Sequence, residues 1–99
     1  MIPILIVCYL RPEKLRVLLE SLENSRTEIF IFIDRAEGNH QELNMQVYEI
    51  AMQYSKSLNI KIEWSNEKMG VAQGVPTAIN WAFTFVEELV ILEDDCFPS

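Results

Sequence analysis

Apolar residues along the chain fall into short runs that are separated by longer segments with helical spacing. The first run, Ile4 to Leu10, and the second, Glu28 to Asp34, are almost continuously apolar, which is typical of strands covered on both faces. The run from Ile60 to Trp64 alternates apolar and polar residues, as in a half-exposed strand near a sheet edge. Leu89 to Leu92 predicts a fourth strand, which we expect to be buried.

The segments between these runs repeat their apolar residues with the period of an amphipathic helix. Pro12 suits the first position of a helix, and leucines with helical spacing follow it on one face. The third segment predicts a helix that begins between Val71 and Pro76, because proline is tolerated only in a first turn. The second segment places on one predicted face Leu43, Val47, Ile50, Ala51, Tyr54 and Leu58.

This order of elements, β-α-β-α-β-α-β, predicts the fold class. We expect residues 1–99 to form a single α/β domain, a three-layer Rossmann-like sandwich around a mostly parallel four-stranded sheet. The predicted strand order is 3-2-1-4. That order creates a topological switch point between the first and fourth strands, where open α/β sheets bind ligands at the carboxyl ends of their strands.

Composition narrows the classes of function. The formal charge of −7 disfavours nucleic-acid binding, because such a surface repels a phosphate backbone unless a metal ion or a few cations intervene. Cys8 and Cys96 are too few for a disulfide framework or a cysteine-based zinc site. We find no membrane-spanning segment and no secretory leader, and therefore expect a cytoplasmic protein.

Charged residues gather where the predicted strands end. Arg11 follows the first strand, Asp34 ends the second, and the acidic triplet Glu93, Asp94 and Asp95 ends the fourth. Three consecutive carboxylates repel one another, and a divalent cation would relieve that repulsion, because hard cations prefer carboxylate oxygens. The sequence therefore predicts a cation and ligand site at this edge of the sheet.

The ordered set of motifs resembles a known family. "IPILIVCYLRPEKLRVLLESL", the strand ending in Asp34, "NEKMGVAQGVPTAINWAF" and "VILEDDCFPS" together look like the amino-terminal, nucleotide-sugar-binding half of a GT-A-fold glycosyltransferase. The Arg after the first strand and the Glu-Asp-Asp after the fourth resemble those of the N-acetylglucosaminyltransferase I type and of related family-2-like bacterial enzymes. "EDD" stands where that fold carries its DxD metal motif, and the resemblance covers essentially the whole chain.

The resemblance implies a role for each matching residue. Asp95 would bind Mn²⁺ or Mg²⁺, and the ion would bridge the diphosphate of a nucleotide sugar, expected to be a UDP sugar. Glu93 and Asp94 would contact the ribose or sugar and orient the metal. Asp34 would accept a hydrogen bond from the nucleobase, and Arg11 would lie near the base or the phosphates. The acceptor would be a glycan or another hydroxyl compound.

The sequence departs from the family pattern in two ways, and two alternative functions stay open. Leu10 stands where such enzymes often carry a polar residue. The family's acceptor site and catalytic base follow the metal motif, so the resemblance implies a truncated GT-A fold with no catalytic base in this chain. One alternative is a nucleotidyltransferase-like domain, although "CYLRPEKL" lacks the glycine-rich triphosphate loop. The other is a non-catalytic, cation-binding interaction module, and exposed sheet edges predict possible self-association.

Overall fold

The computed structural model describes residues 2–93, in which strands and helices alternate along the chain. Each connection between consecutive strands contains a helix, as parallel strands require. A short 3-10 helix, Gly38–His40, precedes the second α-helix. The elements are β1 (Ile4–Cys8), α1 (Pro12–Ser21), β2 (Ile29–Ile33), α2 (Gln41–Tyr54), β3 (Ile60–Trp64), α3 (Gly70–Phe83) and β4 (Val90–Glu93).

The strands form one parallel sheet in the order β3-β2-β1-β4. Ile4 at the start of β1 pairs with Ile29 of β2 on one side and with Val90 of β4 on the other. Ile29 in turn pairs with Ile60 of β3. The predicted α/β class, the parallel sheet and the strand order 3-2-1-4 are therefore confirmed. The switch point lies between β1 and β4.

Helices cover both faces of the sheet because successive side chains of a strand point to opposite faces. Both inner strands are buried on both sides, which explains their continuous apolar sequences. The core beneath α1 and α2 contains Ile6, Cys8, Leu15, Leu19, Ile29, Ile31, Ile33, Val47, Ile50, Ala51, Tyr54 and Leu58. The core beneath α3 contains Leu5, Val7, Phe30, Phe32, Ala78 and Ala82.

The two outer strands of the described sheet are covered less than the inner ones. Residues of β3 alternate between half-buried and exposed, which confirms the prediction of a half-exposed edge strand. The prediction that the fourth strand is buried is wrong at two positions, because Val90 is 43% exposed and Ile91 is 42% exposed. Ile91 is in register with Leu5 on the face that α3 covers, and Val90 is in register with Ile4 on the opposite face, so this outer strand is incompletely covered on both faces.

Helix α2 corrects one predicted core position. Leu43, which we placed on the buried face, is 42% exposed, and its neighbour Asn44 is 1% exposed. The buried residues of α2 begin with Asn44 and continue through Val47 to Tyr54 with helical spacing. Hydrophobicity alone therefore predicted the wrong buried residue in the first turn of α2. The position that is buried there carries a polar side chain, Asn44.

Helix α3 begins earlier than predicted and contains an internal proline. It starts at Gly70, one residue before the predicted range, so Pro76 lies inside the helix and not in its first turn. A proline there removes the hydrogen bond to the carbonyl of the residue four positions earlier, Ala72. Both Pro76 and Ala72 are exposed, so water can bond that carbonyl and the proline is tolerated.

The helices of the described chain are short. The longest of them have 14 residues, whereas a helix needs about 20 apolar residues to cross a bilayer. Among residues 2–93, no helix combines the length and the apolar character that a membrane span requires.

Candidate functional site

The end of β2 carries two charged residues that lie on opposite faces of the sheet. Phe32 packs in the core beneath α3, and the alternation of the strand continues that face to Asp34. Ile33 packs beneath α1 and α2, and Arg35 continues that face. The backbone N–H of Asp34 donates to the carbonyl of Cys8 at 3.0 Å, so pairing with β1 extends to this residue. Asp34 therefore lies on the α3 side of the sheet, and Arg35 lies on the side of α1 and α2.

The carboxylate of Asp34 holds the N-terminus of α3. Asp34 is 1% exposed; its Oδ1 accepts a hydrogen bond from the backbone N–H of Met69 at 2.9 Å, and its Oδ2 accepts one from Gly70 at 2.9 Å. Met69 has right-handed backbone angles and Gly70 has a φ of 76°, a succession that forms an anion-binding nest of N–H groups. A carboxylate at this helix end also interacts favourably with the helix dipole. Asp34, which directly follows β2, thus caps the N-terminus of α3 in place of a residue near that helix in sequence.

Ser65, directly after β3, fixes the other side of this carboxylate. Its backbone N–H donates to the carbonyl of Ile33 at 3.0 Å, which continues the ladder between β2 and β3. Its Oγ accepts the backbone N–H of Arg35 at 2.8 Å and lies 2.9 Å from the carbonyl of Glu67 and 3.3 Å from Asp34 Oδ1. Ser65 is 4% exposed, so these bonds replace water in a nearly dry site.

Asn44 of α2 joins the ends of three strands. Its Nδ2 donates to the carbonyl of Tyr9 at 2.9 Å and to that of Asp34 at 2.8 Å. Its Oδ1 accepts from the backbone N–H of Ala36 at 3.1 Å and from the indole Nε1 of Trp64 at 3.0 Å. Two donations and two acceptances use the full capacity of an amide. Asn44 is therefore a structural residue that ties α2 to the carboxyl ends of β1, β2 and β3.

Arg35 lies on the α2 side of the same edge. Its Nε donates to the carbonyl of Ser65 at 2.8 Å, and its guanidinium carbon is 3.8 Å from the centre of the Trp64 ring. Tyr48 stacks on the same indole with a centroid distance of 4.6 Å and an interplanar angle of 21°. A cavity of about 240 Å³ opens beside this stack and is lined by Arg35, Ala36, Gln41, Asn44, Met45 and Trp64.

The opposite half of the edge is at β1 and β4. Arg11 is exposed and precedes the first residue of α1. Glu93 is the last residue of β4 and pairs with Val7 of β1, so the acidic triplet begins at the carboxyl end of the strand beside β1. Asp94 and Asp95 lie outside the described residues, and their predicted roles stay predictions.

The predicted site residues are thus distributed over neighbouring strand ends. Arg11 and Asp34 follow adjacent strands, but no hydrogen bond or ion pair joins them within the described chain. Among residues 2–93, no group of three or more histidine, cysteine, aspartate or glutamate side chains could hold a metal ion. The predicted metal role rests on the acidic triplet, and it is not tested by the described residues.

Sequence reasoning missed Asn44 and the importance of Ser65. A signal for Asn44 existed, because it stands three residues before Val47 on the face that continues to Ala51 and Tyr54. A polar residue in register with a buried apolar face indicates a buried hydrogen-bonding role. The partners of Ser65 had no such local signal, because Arg35 lies 30 positions away.

Comparisons with known proteins leave the family open. Searches among protein-family models, curated proteins and solved structures find no match for this chain.

Proposed function

We propose that this chain is the donor-binding part of a glycosyltransferase that uses a nucleotide-diphospho-sugar, a UDP sugar, together with Mn²⁺ or Mg²⁺ at Glu93, Asp94 and Asp95. One observation carries the proposal. The strand that leads into the acidic triplet is parallel to β1 and directly beside it, with Glu93 opposite Val7. A ligand site is expected at such a switch point, outside the carboxyl ends of the strands.

The donor set of the triplet suits a hard divalent cation, because Mg²⁺ and similar ions prefer carboxylate oxygens. A chain with a formal charge of −7 repels a diphosphate, and a bound cation reverses that repulsion locally. When bound, such an ion neutralises the charge that develops on the departing diphosphate. Arg11, exposed at the neighbouring strand end, adds a permanent positive charge to the same half of the edge.

The nucleobase contact proposed for Asp34 has to coexist with its bonds to α3. Within the described chain, Oδ1 receives the N–H groups of Arg35 and Met69 and has the Ser65 hydroxyl 3.3 Å away, whereas Oδ2 receives Gly70 alone. A carboxylate has about four acceptor sites, two on each oxygen. Oδ2 therefore has the free acceptor site, but Asp34 is 1% exposed, so a nucleobase N–H would reach it only if the first turn of α3 moved aside.

Calorimetric titration tests the proposal. We expect UDP to bind when MnCl₂ is present and to bind at least about tenfold more weakly after chelation of the metal, because a cation held by the acidic triplet would offset the repulsion between this acidic chain and the diphosphate. Asp95→Ala should weaken metal-dependent UDP binding by a similar factor. The matched control is Glu88→Gln, which removes one negative charge at the amino end of the same strand, and it should bind as the unchanged chain does.

Each other outcome identifies a different function. UDP affinity that is the same in Asp95→Ala, or the same without metal, would contradict the glycosyltransferase proposal. Preference for UTP over UDP would indicate the nucleotidyltransferase-like alternative. Manganese binding without any response to nucleotides would indicate a cation-binding interaction module.

A further inference from the structure

The cavity beside Arg35 is separate from the proposed nucleotide-sugar site. It lies on the side of the sheet that α2 covers, whereas the carboxylate of Asp34 is directed to the first turn of α3. Its volume of about 240 Å³ is below the range of about 300–1,000 Å³ that is typical of drug-sized ligands. A ligand that fills it is therefore small.

Arg35 is fixed in position, and no carboxylate of residues 2–93 forms an ion pair with it. The bond from Nε to the Ser65 carbonyl and the contact with the Trp64 ring hold the guanidinium group in one orientation. The ion pair of the described residues joins Arg16 to Glu13, and no bond to the terminal amino groups of Arg35 is present among residues 2–93. A preorganised guanidinium fork binds the two oxygens of a carboxylate or phosphate with little further loss of conformational freedom.

The other residues that line the cavity indicate which chemical groups the rest of a ligand would carry. The amide of Asn44 bonds to the backbone and to the indole N–H of Trp64, so neither group has a free hydrogen-bonding position for the ligand. Met45 and Ala36 add apolar surface, and Gln41 contributes one exposed amide. The cavity thus combines one positive group with a largely apolar lining.

We propose that this cavity binds a small organic oxyanion, a carboxylate with a short apolar or aromatic body, through the guanidinium of Arg35. The carboxylate lies against the terminal amino groups, and the apolar body lies against Met45 and the edge of the Trp64 indole, because Arg35 and Tyr48 cover the two faces of that ring. Inorganic phosphate offers the same oxyanion chemistry without an apolar body. Comparing it with benzoate therefore distinguishes the two contributions.

Proton–nitrogen correlation NMR spectra of the whole chain, titrated with sodium benzoate at constant ionic strength, test this proposal. We expect saturable shifts of the indole N–H of Trp64 and of the Nε–H of Arg35. The indole N–H of Trp81, which packs on the opposite face of the sheet, should stay in place and serves as an internal control. Sodium phosphate should bind more weakly than benzoate. Shifts without saturation, or equal binding of phosphate, would overturn the proposal.

Variants separate recognition from folding. Arg35→Gln should weaken benzoate binding by about tenfold or more, because a hydrogen-bonded charge is lost, while Arg26→Gln removes an exposed charge elsewhere and should have no effect. Arg35 also bonds to Ser65, so a second variant is needed that leaves this contact intact. Gln41→Glu adds a carboxylate at the exposed first residue of α2, where the helix tolerates it, and should repel benzoate. Unchanged benzoate affinity in Gln41→Glu would contradict the proposal even if Arg35→Gln failed to fold.

Discussion

The two halves of the carboxyl edge of the sheet use their polar residues differently. In the half at β2 and β3, Asp34, Asn44 and Ser65 are 1%, 1% and 4% exposed, and each side chain makes several hydrogen bonds within the protein. In the half at β1 and β4, Arg11 is exposed, and no side-chain bond to it is present among the described residues. Asp34, Asn44 and Ser65 are therefore satisfied by internal bonds, whereas Arg11 presents its charge to solvent.

This difference shows that a charged residue after a strand does not by itself indicate a ligand. Asp34 and Arg11 both follow the inner strands, yet Asp34 stabilises the N-terminus of α3. The energetic consequence is testable, because removing a buried, bonded polar group leaves its partners unpaired. Substitutions in the half at β2 and β3 should lower the free energy of unfolding much more than substitutions at exposed positions.

The largest expected effect is that of Asn44→Ala. This change removes one hydrogen bond from each of two carbonyls and two N–H groups and should lower the free energy of unfolding by about 4 kcal/mol. Small domains have only about 5–15 kcal/mol in total, so this loss is a large fraction of the stability. Urea denaturation followed by circular dichroism measures the change. Gln46→Ala, at an exposed position of the same helix, should stay within about 0.5 kcal/mol of the unchanged chain. A similar small loss for Asn44→Ala would mean that the four bonds do not stabilise this half.

A smaller loss is expected for Asp34→Asn, which keeps the shape of the side chain and removes its charge. One carboxylate oxygen becomes an NH₂ group that faces the N–H of Met69 or of Gly70, and we expect a loss of about 3 kcal/mol. Hydrogen exchange at these two amides should accelerate together with the loss of stability. Glu37→Gln removes an exposed charge three residues later and is the control. Unchanged exchange at Met69 and Gly70 in Asp34→Asn would show that α3 does not depend on this carboxylate.

The smallest and most selective test compares two glycine substitutions in α3. Gly70→Ala should cost about 1–2 kcal/mol, because Gly70 has a φ of 76°, which residues with a Cβ adopt only with strain. Gly74→Ala should instead stabilise by up to about 1 kcal/mol, since alanine favours a helix interior and the added Cβ meets only the Cβ of Met69 at 4.0 Å. Thermal and urea unfolding of the two variants measure whether each substitution lowers or raises the free energy of unfolding. Equal changes in the free energy of unfolding would show that the nest at Gly70 does not require a residue that readily adopts a positive φ.

The sequence by itself determined the elements of this protein and their order in the sheet. Hydrophobic periods separated strands from helices, their alternation predicted a mostly parallel sheet, and the predicted strand order 3-2-1-4 proved correct. It also located the charged residues at the carboxyl ends of the strands, because those positions follow directly from where each apolar run stops.

Tertiary structure alone decided which polar residues are used inside the protein. The bond from Gly70 to Asp34 joins residues 36 positions apart, and that from Asn44 to Tyr9 joins residues 35 positions apart. A local pattern reports only whether a position faces the core or solvent. It does not report which distant donor or acceptor will meet that position once the sheet has formed. Asn44 therefore replaced Leu43 in the core because assembled strands, and not the helix itself, created the hydrogen-bonding partners that a buried amide requires.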